Sequence, residues 1–457
     1  LKRLSGARAL LALFVLTLPL VTPKIRGADE IEYFSYLRSF AFDGDLEFGN
    51  EYQHFYEQDP QGLAGFKGTF LDRLEPQTGR HINFAPCGSA ILWSPFYLLA
   101  HVGVLAARSM GSSVAADGYS RPYLMAVCYG SALYGLLGLL LLHRLLRRHA
   151  GFDEAAATWS VGALWLGTPL FYYMTIGPAF SHAASVFTVA LLLAAWLTAR
   201  TKDLTFGAGS APWALLGAAG GLAALVREQD LFFLIVPGVD LLARGLQQRR
   251  LPAAIARGVA MGACALLAFT PQLLAYHAVN GRFGPSRMVA RKMNWSSPHF
   301  LEVLFDPAHG LYFWAPLLLA ATLGLGWAAL RRERLAPLLA LGLLAQVWIN
   351  GAVESWTQAG AFGSRRFVSA TPVFAWGLAV LVAAGLARHR RLTALALAVA
   401  VWWNVSLMVQ FGLKLMDRQQ LEWPRVALNQ VVEVPRHLLR ASWLFFTDRE
   451  RLVREGV

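Results

Sequence analysis

Twelve apolar stretches punctuate this chain, at about 8–23, 86–108, 121–142, 155–174, 180–199, 211–226, 231–243, 255–275, 311–330, 335–350, 368–387 and 392–410. They run from 13 residues (231–243) to 23 (86–108), most of them about 16 or more, and a helix of about 20 residues crosses a hydrocarbon layer of about 30 Å. Only 15% of the 457 residues are charged and 56% are hydrophobic, whereas soluble domains carry about 25% charged residues. Lipid accepts so much apolar surface and water does not. The pattern predicts an all-α polytopic membrane protein.

The net charge of +13 would suggest nucleic acid in a soluble chain. Here the basic residues lie in short loops between apolar stretches, where they set orientation, and no nucleic-acid partner is expected. Cys87, Cys128 and Cys264 are far apart and form no Cys-x-x-Cys motif, so they read as packing residues. Lys2, Arg3 and Arg8 precede an apolar run, Ala9 to Val21, that imitates a signal peptide. No small-residue cleavage motif follows it, so an uncleaved first helix is expected.

Charge also orders the stretches across the bilayer. If 86–108 lies on or dips into one face, the segments 1–8, 143–154, 200–210, 244–257, 331–334 and 388–391 share a side. Together they hold eighteen Lys and Arg against four acids. If 86–108 crosses, fifteen of those eighteen change side, which the positive-inside rule opposes. The expectation is therefore about eleven transmembrane helices with the N-terminus cytoplasmic. One long outer loop, 24–120, would carry the membrane-lying helix 86–108. The domain plan is a transmembrane region, 1–410, and an outer-face tail, 411–457, with interfacial helices.

The part of that loop before 86 holds eleven acids and six bases. Its opening, Ala28-Asp29-Glu30-Ile31-Glu32-Tyr33, puts three carboxylates close to the membrane, where charge is costly unless solvated or paired. A carboxylate there suits general-base work on a hydroxyl, and a solvated loop start is the competing reading. Arg227-Glu228-Gln229-Asp230 lies between two short apolar stretches, a placement suited to a recessed charge. Arg365 and Arg366 follow a glycine-rich turn, which permits close backbone approach to a ligand. Arg287, Arg291 and Lys292 stand in a loop before Trp295. Each arginine has a plain alternative as an interfacial anchor or a solvated charge. Asp43-Gly44-Asp45-Leu46-Glu47 imitates a calcium loop but lacks its closing glutamate.

An Asp-Glu pair directly after the first transmembrane helix, followed by a long outer loop, resembles the GT-C superfamily of membrane glycosyltransferases. This family includes protein O-mannosyltransferases and the lipid A aminoarabinose transferase. Asn83-Phe84-Ala85-Pro86 leading into Ile91-Leu92-Trp93-Ser94-Pro95-Phe96 is similar to the Pro-rich lead-in to its jaw helix. Leu304-Phe305-Asp306-Pro307-Ala308-His309-Gly310-Leu311 and Trp356-x3-Gly360-x2-Gly363-Ser364-Arg365-Arg366-Phe367 resemble segments of bacterial members.

The resemblance implies a GT-C-like fold with jaw-type helices, and transfer of a sugar from a polyprenyl-phosphate donor to a protein, lipid or glycan hydroxyl. The expected place is the outer face of the bacterial cytoplasmic membrane. It assigns Asp29 as general base with Glu30 as companion and Glu32 as a weaker substitute. Arg227, Arg365, Arg366 and Arg291 become candidates for the donor phosphate, because a guanidinium fork matches phosphate oxygens. Some members place a second acid, often a metal ligand, where this chain has Ser181 and His182. His182 and Glu228 are therefore candidates for substrate or divalent-metal contact, with no cofactor otherwise implied. A flippase for lipid-linked sugar and an inactive accessory member are the alternatives. The near absence of charge in the helix interiors, Asp240 excepted, favours the enzyme over the flippase.

Overall fold

The structure is a computed structural model that describes residues 5–333, 335–449 and 451–452. Lys2, Arg3 and Arg334 of the expected inner segments and residues 450 and 453–457 of the tail lie outside the described residues. In chain order the principal helices are α1 (Gly6–Thr17), α2 (Ala28–Arg38), α3 (Gly49–Gln58), α4 (Gly88–Ser109), α5 (Arg121–Arg148), α6 (Glu154–Leu166), α7 (Leu170–Thr175), α8 (His182–Lys202), α9 (Ala211–Val226), α10 (Ile235–Gln247), α11 (Leu251–Asn280), α12 (Pro316–Leu330), α13 (Ala336–Gly351), α14 (Thr371–Arg388), α15 (Arg390–Gly412), α16 (Trp423–Val431) and α17 (Glu433–Thr447). Among the described residues the only β pairing is an isolated bridge between Leu74 and His81. The protein is an all-α, multi-helix membrane protein.

Among the described residues six segments are long and apolar enough to cross a membrane: Gly88–Ser109, Arg121–Arg148, His182–Lys202, Leu251–Asn280, Arg365–Arg388 and Arg390–Gly412. Shorter apolar helices cover Gly6–Leu20, Ala211–Val226, Pro316–Leu330 and Ala336–Gly351. Several apolar stretches differ from continuous helices. The stretch 155–174 divides into α6 and α7 at Gly167-Thr168-Pro169, because Pro169 has no N–H and its ring obstructs a continuing helix. The 311–330 stretch breaks before Pro316 for the same reason. The 231–243 stretch opens as a 3₁₀ turn, Glu228–Leu234, and becomes α-helical only at Ile235. The expected inner loop 244–257 is also much shorter. Arg244 lies within α10 and Arg257 within α11, both buried, so the helix interiors hold more charge than Asp240 alone.

The chain divides into two compact units. One comprises Leu13–Leu141 and Tyr173–Met293. Its tightest pair is α9 on α11, where Gly217 and Gly221 present bare backbone. A Cβ at Gly217 would strike the Met261 carbonyl, and one at Gly221 the Ala265 carbonyl. Residues four apart share one helix face, so the two glycines form a stripe along which the helices close up. The second unit comprises Leu1–Ala12, Leu142–Tyr172 and Asn294–Val457. There α12 and α14 meet in the same way, with Gly324 against the Gly377 carbonyl and Gly377 against the Ala321 carbonyl. Asp153 caps α6 by accepting from the Ala156 N–H at 2.7 Å, and the tail helices α16 and α17 pack on α15.

Candidate active site

The first turn of α2 is built around Glu30, not Asp29. Glu30 Oε2 accepts the N–H groups of Gly27 at 2.8 Å and Arg26 at 2.9 Å. This is the return arm of a capping box, which satisfies donors that a helix start leaves open. Burial pushes the Glu30 carboxyl up to about 7, against the pull of those two backbone hydrogen bonds. Its neighbour Asp29 is half-buried in the same turn, at the positive end of the helix dipole.

Two residues on, Glu32 Oε1 accepts the Phe84 N–H at 2.5 Å, and the Glu32 carbonyl accepts from Asn83 Nδ2 at 2.9 Å. The Asn83-Phe84-Ala85-Pro86 motif is thereby fastened to α2. It then delivers the chain into α4, whose first residue, Gly88, lies against the Leu225 carbonyl at the end of α9, where a Cβ would collide. Lys292 sits over the Phe84 ring, 5.6 Å from its centroid. Arg291 beside it is exposed.

Arg227 ends α9. Its Nη1 donates to Ser181 Oγ at 3.1 Å and to His182 Nδ1 at 3.1 Å, and its Nη2 donates to Gln229 Oε1 at 3.1 Å. Its buried Nε has no hydrogen-bond partner among the described residues. Ser181 Oγ in turn donates to the Tyr33 hydroxyl at 2.9 Å. Tyr33 is four residues after Asp29, so both side chains project from one face of α2. The chain Tyr33–Ser181–Arg227 therefore brings the guanidinium to the face of α2 that carries the acid.

His182 is boxed by the rings of Tyr173, 4.3 Å between centroids, and Phe180, 5.7 Å. Glu228 accepts a hydrogen bond from the Tyr276 hydroxyl, and burial raises its carboxyl above the usual range. Asp230 Oδ2 accepts from Ser185 Oγ at 2.5 Å. The turn 227–230 is thus pinned by polar contacts along its length, which fixes where Arg227 points.

Arg365 and Arg366 belong to the other unit. Gly360 and Gly363 before them have φ of 73° and 64°, which glycine adopts without penalty. Arg366 Nη2 donates to Ser355 Oγ at 3.2 Å. The Asp306–Gly310 motif supports this turn: His309 Nε2 bonds to the Ala361 carbonyl at 2.7 Å, and its ring stacks on Trp314 with centroids 4.9 Å apart.

Among the described residues no three of His, Cys, Asp and Glu are grouped to hold a metal ion. In the calcium-loop imitation, Asp43 pairs with Arg38 and accepts from Asn50, and Asp45 accepts from Ser39. Sequence reasoning missed Tyr33, Gln229 and Gly88 as parts of the site. The four-residue step from Asp29 to Tyr33 was the available signal for the first.

No family model matches the sequence, nor does any curated protein. Solved structures do match. The chain is similar to the crystal structure of ArnT from Cupriavidus metallidurans bound to undecaprenyl phosphate, with a TM-score of 0.51 and 16% identity, covering 93% of this chain and 74% of that one. The apo state of the same protein gives a TM-score of 0.50 and 18% identity over 93% and 75%. The chain therefore has an ArnT-like fold, the architecture expected from the GT-C resemblance.

Proposed function

We propose that this protein is a GT-C-type glycosyltransferase that moves a sugar from a polyprenyl-phosphate donor to a hydroxyl acceptor at the outer face of the cytoplasmic membrane. The observation that carries this reading is the Tyr33–Ser181–Arg227 chain, which draws a fixed guanidinium toward the face of α2 that presents Asp29. The ArnT-like fold, together with that protein's structure bound to undecaprenyl phosphate, supports a polyprenyl phosphate as the ligand.

In this reading Asp29 takes the acceptor hydroxyl's proton as its oxygen attacks the anomeric carbon. The glycosidic C–O bond to phosphate breaks, and polyprenyl phosphate leaves with the electron pair. Arg227 meets the charge growing on the leaving phosphate, and being already held by three side chains it needs no reorganisation. Arg291, Arg365 and Arg366 are further phosphate-binding candidates, and His182 orients Arg227. The topology that goes with this is eleven crossings, with α4 lying at the outer face and the C-terminal tail outside.

The test is transfer of label from polyprenyl-phosphate sugars to membrane extract by purified protein, comparing wild type with Asp29→Asn. Loss of transfer in the variant is expected. Equal transfer by both removes Asp29 from the mechanism. Movement of lipid-linked sugar across vesicles without transfer makes the protein a flippase.

A further inference from the structure

At the opposite end of α9 from Arg227, about 24 Å away along a helix of this length, a second charged cluster is buried where α8, α9, α10 and α11 start or end. Asp203, at the C-terminus of α8, has its carboxylate fully engaged. It accepts from Trp213 Nε1 at 2.9 Å, from the Ala208 N–H at 3.0 Å and from Arg257 through both Nε and Nη2. Asp240 on α10 accepts from Trp196 Nε1 at 3.1 Å and from Arg200 Nε at 3.0 Å. Neither acid has much capacity left.

Arg244 is the residue these pairings leave over. Its side chain is only 9% exposed, and its Nε lies 3.5 Å from Asp240, within ion-pair range but without a hydrogen bond. Nη1 donates to the Asp203 carbonyl at 3.2 Å, while Nε and Nη2 have no hydrogen-bond partner among the described residues. The rings of Phe206 and Trp213, 5.6 Å and 5.4 Å from its guanidinium carbon, offer charge attraction but no acceptor. Three guanidinium groups thus face two carboxylates in a nearly buried setting, with Lys202, Arg249 and Arg250 exposed nearby. A buried cation with open donors is costly unless an anion completes it.

The surroundings select the kind of anion. Leu204, Leu242, Leu246, Leu251 and Ile255 are all exposed beside the cluster. On a membrane protein such a surface receives acyl chains, and a basic recess between transmembrane helices receives the headgroup. We infer that Arg244, with Arg200 and the basic residues around it, binds the phosphodiester of an anionic glycerophospholipid whose acyl chains lie along α10 and α11. This site is separate from the one proposed for transfer, and it needs no catalytic activity to be detected.

The experiment titrates detergent-purified, full-length protein with phosphatidylglycerol, phosphatidylcholine or inorganic phosphate and reads binding by native mass spectrometry. Phosphatidylglycerol is expected to bind wild type, and Arg244→Gln to weaken it by about tenfold. Phosphatidylcholine should bind much less, inorganic phosphate should not compete, and Arg227→Gln should leave binding unchanged. If Arg244→Gln is not monodisperse, Arg200→Gln, at a half-exposed position, carries the test with the same expected direction. Undiminished binding in the folded variant overturns the assignment. So does equal binding of phosphatidylcholine, or displacement of the lipid by inorganic phosphate, which would make the site one for a free anion.

Discussion

Arg227 donates to Nδ1 of His182 at 3.1 Å, which requires a neutral imidazole with its proton on Nε2. The histidine is then an acceptor that holds a cation in place. Replacing His182 with Phe keeps an aromatic ring between Tyr173 and Phe180 but removes the acceptor. The expected result is a higher KM for the polyprenyl-phosphate donor with a smaller change in kcat. Arg227→Gln should cost much more, on the order of 10²–10³ in kcat/KM, the range for removing one preorganised donor from a developing anion. Steady-state kinetics with labelled donor separates the two. If Arg227→Gln keeps wild-type kcat/KM, the phosphate is bound elsewhere.

Asp29 and Glu30 are adjacent acids with different work, and substitution should separate them. Asp29→Asn should lower transfer by on the order of 10²–10⁴ and lower the melting temperature only slightly, through the lost attraction of its charge to the helix dipole. Glu30→Ala should do the reverse, costing about 1 kcal/mol of stability through the lost cap. The pH dependence follows from the raised carboxyl of Glu30. Below its ordinary value of 4.5 both folded and unfolded chains are protonated there. Between 4.5 and about 7 the unfolded chain gives up a proton that the folded one retains, so stability falls as pH rises and levels off above about 7. Thermal melts at pH 5 and pH 8 should therefore differ more for wild type than for Glu30→Gln. Parallel pH profiles would contradict this.

These residues mark where the sequence is legible and where it stops. Residue 211 to residue 226 returns as α9 without a shift, because an apolar run ending in a charged turn states both its length and its limits. The break at Gly167-Thr168-Pro169 was equally visible, yet hydropathy alone runs straight through it. Glu30 follows Gly27 at capping-box spacing, a local signal that the neighbouring Asp29 obscures. The Arg244 cluster could not be read, because residues 203, 240, 244 and 257 come from three helices and converge only once these pack. In one dimension Asp240 stands as an isolated charge inside an apolar stretch, and the charges at 203, 244 and 257 look like ordinary loop charges that set orientation. Gln229, being uncharged, gave no reason to be chosen over any other polar residue near a helix end, and Ser181 was marked only by standing with His182 where the resemblance puts a second acid.

The close approach of α9 to α11 predicts a contrast between two glycines. Gly217→Ala puts a methyl group against the Met261 carbonyl, which the backbone cannot vacate without parting the helices. A cost of about 1–3 kcal/mol is expected, as for other overpacking changes. Transfer activity should fall as well, since α9 carries Arg227 at its end. Gly262→Ala on α11 meets nothing within 4 Å and should be neutral or slightly stabilising, because alanine favours the helix. Detergent thermal melts of both variants check this, and equal losses would mean that the glycine stripe does not set the packing.

His309 supports the turn that presents Arg365 and Arg366. Burial lowers its pKa, so at neutral pH it is an uncharged ring whose Nε2 donates to the Ala361 carbonyl while its face lies on Trp314. Its own backbone has a φ of 75°, an uncommon conformation for a residue with a side chain. His309→Ala removes the hydrogen bond and the stack together, and about 1–2 kcal/mol of stability should be lost. His309→Gly removes the same contacts but relieves the backbone, so it should melt higher than His309→Ala. If the alanine variant is the more stable of the two, the positive φ is not a strain the fold carries. If both melt like wild type, the ring does not support the turn, and the positions of Arg365 and Arg366 depend on the glycines alone.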